Sequence, residues 1–270
     1  MATHVRIIFG IAMLISSVSW SRGLAAAVLD DQYDADAALE ISQAAIGRVL
    51  GNHAFMDSDG NAVAIHDFAG KPLVISMVFS SCHHVCPTTT KRLDQAAQAA
   101  REVLGEDSFR IVTIGFDTAR DKPDAMDAFA KAQGIDANGW HFLSATAETI
   151  ETLSEDLGFI YFPSPRGFDH INQLTILDRD STVYTQVYGV SFELPWLVEP
   201  LKDLIFNRPE SAGHPWSSLV DRIRLFCTVY DPATGRYEID NSLFFQIAIG
   251  LMVVLAVSFY LWREFRRPRH

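Results

Sequence analysis

The stretch Ser81-Cys82-His83-His84-Val85-Cys86-Pro87 holds two of the three cysteines in this 270-residue chain. On a helix, residues four apart share one face and lie one turn apart. That separation is near the upper end of what a disulfide tolerates. It also lets two thiolates grip one metal ion. A helix N-terminus lowers a thiol pKa, so both sulfurs are expected to have thiolate character, which suits a nucleophile or a soft-metal ligand equally. The pair therefore leaves electron exchange and metal binding open. Oxidoreductase motifs normally carry two residues between their cysteines; three stand here, which moves the reading away from an ordinary dithiol enzyme. A purely structural disulfide is disfavoured, because bridges that staple folds usually close larger loops.

The neighbouring residues add candidates. His83 lies three before Cys86, so on a helical turn it could bind a metal or, when protonated, hold a thiol as thiolate. His84 lies two from each cysteine, points away on a helical turn, and reads as an exposed loop histidine. Cys227, in the apolar "RLFCTVY", has no sequence partner; it reads as a buried inert cysteine, with pairing to another chain as the sharper alternative. His53, His66, His141 and His214 show no metal-ligand spacing. Asp117 ends an apolar run and could orient a ligand, but an aspartate there is more ordinarily a cap or turn residue.

The elements that must position these groups follow from patterning. "AFMDSDGNAVAI" reads as two short strands around Asp59-Gly60. The apolar run from Pro72 to Phe79 predicts a fully buried strand that ends at the cysteine loop. A helix is expected to open near Thr88, with Pro87 and the threonines at its first turn. "FRIVTIGFD" predicts a second buried strand, and "PDAMDAFAKAQG" a helix from Pro123 to Gly134. A short strand "WHFLS" and a helix closed by Gly158 come next. "YFPSPRGFDH" reads as a Pro/Gly loop, "NQLTILDRDSTVYTQVYG" as a hairpin turning at Asp178 to Ser181, and "PWLVEPLKDLIF" as a last helix. Strands alternating with helices and closed by an antiparallel hairpin imply an α/β, thioredoxin-like mixed sheet flanked by helices. The cysteines then sit where the first core strand meets its helix.

Both termini point to export and tethering. Arg6 precedes an apolar run to Val18, and Ala25-Ala26-Ala27 fits a cleavage site, so 1–27 is expected to be a signal peptide, with an uncleaved anchor as the alternative. Residues 243–262 carry no charge and match the length of a transmembrane helix. Arg263, Arg266, Arg267 and Arg269 follow, which places the 263–270 tail in the cytoplasm and the preceding domain outside. An Ala- and Asp-rich peripheral segment at 28–51, a main domain at 52–206 and a connector at 207–242 complete the expected organisation. The formal net charge of -11 argues against nucleic-acid partners, whose binding needs a basic footprint.

Three motifs carry a family resemblance: "CHHVCP" at Cys82–Pro87, "FDTARD" at Phe116–Asp121 and "FDH" at Phe168–His170. In order and spacing, from about Ala54 to Phe206, the chain resembles the Sco/SenC family of membrane-tethered copper proteins. The resemblance implies one copper ion held by Cys82, Cys86 and His170. It implies a role in building the copper centre of cytochrome c oxidase, with that enzyme's copper-bearing subunit as partner. It places the main domain in the periplasm of a bacterium, tethered to the inner membrane. Some members are argued to act instead as thiol-disulfide reductases, and here Cys82 and Cys86 would be the redox pair. Two thiolates and one imidazole form a soft, low-coordinate set that suits copper, and zinc could use it with a fourth ligand. The commonest family pattern has proline and aspartate at positions 83 and 84, so an added imidazole leaves the preferred copper oxidation state open. A peroxidase is disfavoured, because no obvious base or arginine set accompanies Cys82.

Overall fold

The computed structural model describes residues 33–135, 138–206, 228–231, 236–239, 249–255, 257–258 and 262. A seven-stranded mixed sheet runs through the main body in the order β2-β1-β5-β4-β3-β8-β9. Its strands are β1 (Ala54–Asp57), β2 (Ala62–Ala64), β3 (Leu73–Val78), β4 (Arg110–Gly115), β5 (Trp140–Ser144), β8 (Gln173–Leu177) and β9 (Val183–Tyr188). β3 runs parallel to β4, with Ser76 opposite Thr113, and antiparallel to β8. Every residue of β3 is buried, as are the last five of β4. Successive strand residues point to opposite faces, so an unbroken buried run requires cover on both sides.

That cover comes from helices α1 (Ala35–Ala44), α2 (Val85–Leu104), α3 (Pro123–Gln133), α4 (Ala147–Leu157) and α5 (Leu194–Phe206). α2 buries Cys86, Leu93, Ala97, Ala100 and Leu104, spaced along one helical stripe, and packs against α5. α3 begins at Pro123 and ends before Gly134, and α4 ends before Gly158, as the caps predict. The segment read as peripheral carries α1, which buries Ala38 and Ser42 and lies against β9.

Two local expectations need correction. α2 opens at Val85 rather than near Thr88. Pro87 is its third residue, where a missing N–H costs nothing because first-turn amides have no intrahelical acceptor. Cys86 is therefore already helical, and Cys82 lies in the turn before. The Pro/Gly stretch from Tyr161 is not a loop. It forms a separate two-stranded hairpin of β6 (Tyr161–Ser164) and β7 (Gly167–His170), with Tyr161 opposite His170. Pro163 is tolerated because it stands in a two-stranded ribbon with a free edge.

Toward the C-terminus, within the expected connector, β10 (Thr228–Asp231) pairs antiparallel with β11 (Arg236–Ile239). Residues 249–255 are helical and exposed. Among the described residues no helix is long and apolar enough to cross a membrane. Most of the expected span at 243–262, the expected signal at 1–27, His214 and Cys227 lie outside the described residues.

Candidate functional site

The site is built where β3 runs out. Beyond β3, Phe79 turns the chain, and the Cys82 amide donates back to the Phe79 carbonyl at 3.0 Å. Cys82 then faces the opening of α2. Its sulfur accepts from the Cys86 amide at 3.4 Å, and the backbone amides of His84 and Val85 also point at it. These are amides that a helix start leaves unpaired, so the sulfur serves as the cap that the His84 side chain does not supply.

The two thiols differ in character, contrary to the expectation that both are thiolate-like. A hydrogen bond from the Cys86 thiol, aided by the surrounding amides, holds the Cys82 pKa down at about 5. Donating that bond, together with burial, pushes the Cys86 thiol upward. Cys82 is half-buried at the surface, whereas Cys86 is only 2% exposed. Spacing alone treats the two positions as equivalent; the fold makes one a partly exposed anion and the other a buried donor. Neither is in a disulfide.

His170 closes β7. Its Nδ1 lies 2.9 Å from the Ile171 carbonyl oxygen, which can only accept, so Nδ1 carries the proton and Nε2 keeps its lone pair. Burial lowers its pKa, favouring the neutral ring. The imidazole packs edge-on to Phe79 and Phe116, with centroids 6.1 and 5.4 Å away. Phe168 meets the same two rings at 5.4 and 5.2 Å. The hairpin thus sits on an aromatic floor supplied by the ends of β3 and β4. Gly167 makes the seating tight: its φ is +114°, and a Cβ there would lie 2.7 Å from the Phe79 ring.

Cys82, His83, His84 and His170 line one open cleft of about 580 Å³, together with Tyr33, Asp169 and other residues. Cys82 and His170 are close enough to influence each other electrostatically. Cys86 lies below the surface and is not part of the lining. Among the described residues, no three His, Cys, Asp or Glu side chains converge tightly enough to hold a metal ion. The fold therefore brings Cys82 and His170 to one cleft and Cys86 directly behind Cys82, without drawing the three into a closed ligand set. His83 and His84 are exposed. His53 bonds Asp156 at 2.8 Å, and His141 packs on Phe68, which fits their reading as ordinary residues.

Asp121 is the principal residue whose role the sequence left unread. It is fully buried and accepts from the Ser80 amide at 2.8 Å, the Ser80 hydroxyl at 2.6 Å and the Asp117 amide at 2.9 Å. It ties the turn before Cys82 to the turn after β4. Burial raises its pKa. Gly115 makes room for it, since a Cβ at 115 would stand 2.4 Å from the Asp121 Cβ. Asp117 pairs with Arg120 at 2.8 Å and is a turn residue. In the sequence Asp121 closes the "FDTARD" motif four residues after a strand-end aspartate, but that spacing is common in turns and does not reveal the Ser80 contact.

The SCO1/SenC family model matches residues 42–195, more than half of the chain. The chain belongs to the SCO1/SenC family. It is 28% identical over 143 residues to the protein Sco1 of Schizosaccharomyces pombe, covering 52% of each chain, so it spans about half the length of that relative. A putative electron transfer protein from Aquifex aeolicus superposes with a TM-score of 0.54 at 26% identity, over 63% of this chain and 99% of that one. Arabidopsis thaliana ScoI, solved with copper bound, shares the fold with a TM-score of 0.53 at 19% identity, over 59% of this chain and 99% of that one.

Proposed function

We propose that this SCO1/SenC protein is a copper-binding metallochaperone. In this reading Cys82, Cys86 and His170 hold the ion, and the protein assists assembly of the copper centre of cytochrome c oxidase. The observation that carries the reading is His170. Its Nδ1 is committed to a carbonyl, its Nε2 is not, and its ring shares a cleft with Cys82. A hydrogen bond from the far ring nitrogen to a carbonyl fixes the tautomer and orients an imidazole for metal binding. Disulfide exchange has no use for that group. The donor chemistry fits copper, since two thiolates and one imidazole favour a soft, low-coordinate ion. Loading requires Cys86 to give up its thiol proton and the hairpin to approach the start of α2.

The oxidase's copper-bearing subunit is the proposed recipient. The charge-free segment at 243–262 is the proposed tether to a bacterial inner membrane, with the main domain in the periplasm and the arginine-rich tail in the cytoplasm. One observation favours the second reading, a thiol-disulfide reductase acting on partner cysteines: Cys82 is the more accessible, more acidic thiol and Cys86 the buried one behind it. That is the asymmetry an attacking and a resolving thiol need.

Cu(I) titration of the reduced protein separates the two. His170→Ala is expected to weaken Cu(I) binding by about tenfold or more while leaving alkylation of Cys82 intact. Unchanged copper affinity in that variant overturns the chaperone reading and leaves the dithiol one.

A further inference from the structure

His83 and His84 remain unused by the site just described. Both are exposed and both line the cleft that holds Cys82 and His170. His84 is the N-cap residue of α2, yet its side chain makes no capping bond. Among the described residues neither ring has a hydrogen-bond, ion-pair or ring partner, whereas His53, His141 and His170 are each engaged. The N-cap amides are taken by the Cys82 sulfur, which frees the His84 ring for other use.

We infer that His83 and His84 form a second, sulfur-independent station for Cu(II) at the mouth of the cleft. Imidazole suits Cu(II), which heads the affinity order of the divalent first-row ions, whereas thiolates select Cu(I). Two adjacent exposed rings supply two nitrogen donors, and solvent completes a tetragonal set. A disulfide between Cys82 and Cys86 removes both sulfur donors but leaves these nitrogens untouched. The station therefore works when the thiols are oxidised and gives the ion a holding point beside the inner ligands. The inference rests on the chaperone reading only for the choice of metal, not for its ligands.

The test uses the full-length, detergent-solubilised Cys82→Ser/Cys86→Ser variant, titrated with cupric chloride alone. One Cu(II) per chain is expected, with nitrogen superhyperfine structure in its EPR spectrum and no sulfur-to-copper charge-transfer band. Adding His83→Ala and His84→Ala is expected to lower that affinity at least tenfold. His66→Ala, an exposed histidine outside the cleft lining, is expected to leave it unchanged. Absence of Cu(II) binding in the Cys82→Ser/Cys86→Ser variant overturns the inference, as does equal binding with and without His83 and His84. Cu(I) titration of the reduced wild type reports the sulfur site separately, so either assignment can fail without the other.

Discussion

Removing the Asp121 carboxylate tests how the cysteine loop is held. The group is fully buried and accepts three hydrogen bonds, two from Ser80 and one from the Asp117 amide. In Asp121→Ala the Ser80 hydroxyl can rotate to another acceptor, but the two backbone amides cannot. A buried donor left unpaired costs about 1–3 kcal/mol. Two of them, less the relief from no longer burying a carboxylate, put the loss at about 2–4 kcal/mol. Asp121→Asn keeps one acceptor oxygen but turns an NH2 toward the remaining donors, so it is expected to recover only part of the loss. Urea unfolding followed by tryptophan fluorescence measures both variants, and a shift in midpoint without a change in slope isolates stability. A loss below about 0.5 kcal/mol for the alanine variant, the range of ordinary surface substitutions, would refute the view that this carboxylate anchors the turn.

Alkylation of Cys82 by iodoacetamide is expected to follow its thiolate. A depressed pKa keeps the anion as pH falls, so the rate should stay flat from pH 9 through 7 and drop only around pH 5. Cys86→Ala removes the largest cause of that depression, so the midpoint should rise toward the ordinary thiol value; an unmoved midpoint would show that the backbone amides suffice. Gly167→Ala places a methyl against the Phe79 ring and forces an L-residue to a φ of +114°, for a cost of about 2–4 kcal/mol. It should also weaken Cu(I) binding through His170 without changing Cys82 alkylation, and equal effects on both readouts would contradict a hairpin-local origin.

Much of the body was legible because burial leaves a periodic trace. β3 and β4 read as unbroken apolar runs since both of their faces are covered, and α3 and α4 were bounded by Pro123, Gly134 and Gly158. The hairpin of β6 and β7 was missed because its two prolines and one glycine are loop signals locally. What makes it a ribbon is the aromatic floor, a tertiary feature that no window of ten residues contains. At the site, the spacing of Cys82 and Cys86 gave their proximity, and the family motifs gave His170 its candidacy. The difference between the two thiols was out of reach, because it depends on which sulfur faces the open amides of α2. Asp121 was hidden for a similar reason: its partners are Ser80, 41 residues away, and a single amide next to a common turn.

The way the hairpin is attached explains how donors that are not yet gathered could become so. Cys82 is fixed by backbone hydrogen bonds at the start of a 20-residue helix, and that helix buries one face along its length. Moving it would disturb these turn bonds and its core contacts together. The hairpin instead forms its own two-stranded sheet, with no strand of the central sheet hydrogen-bonded to it. It rests on Phe79 and Phe116 through ring contacts. Edge-on aromatic pairs contribute about 0.5–1.5 kcal/mol each beyond area burial and tolerate small sliding, whereas a backbone hydrogen bond weakens steeply when misaligned. Closure of the cleft should therefore fall to the imidazole side, with the sulfur side as the fixed reference. Amide exchange on metal loading should then change most across 161–170 and least within α2.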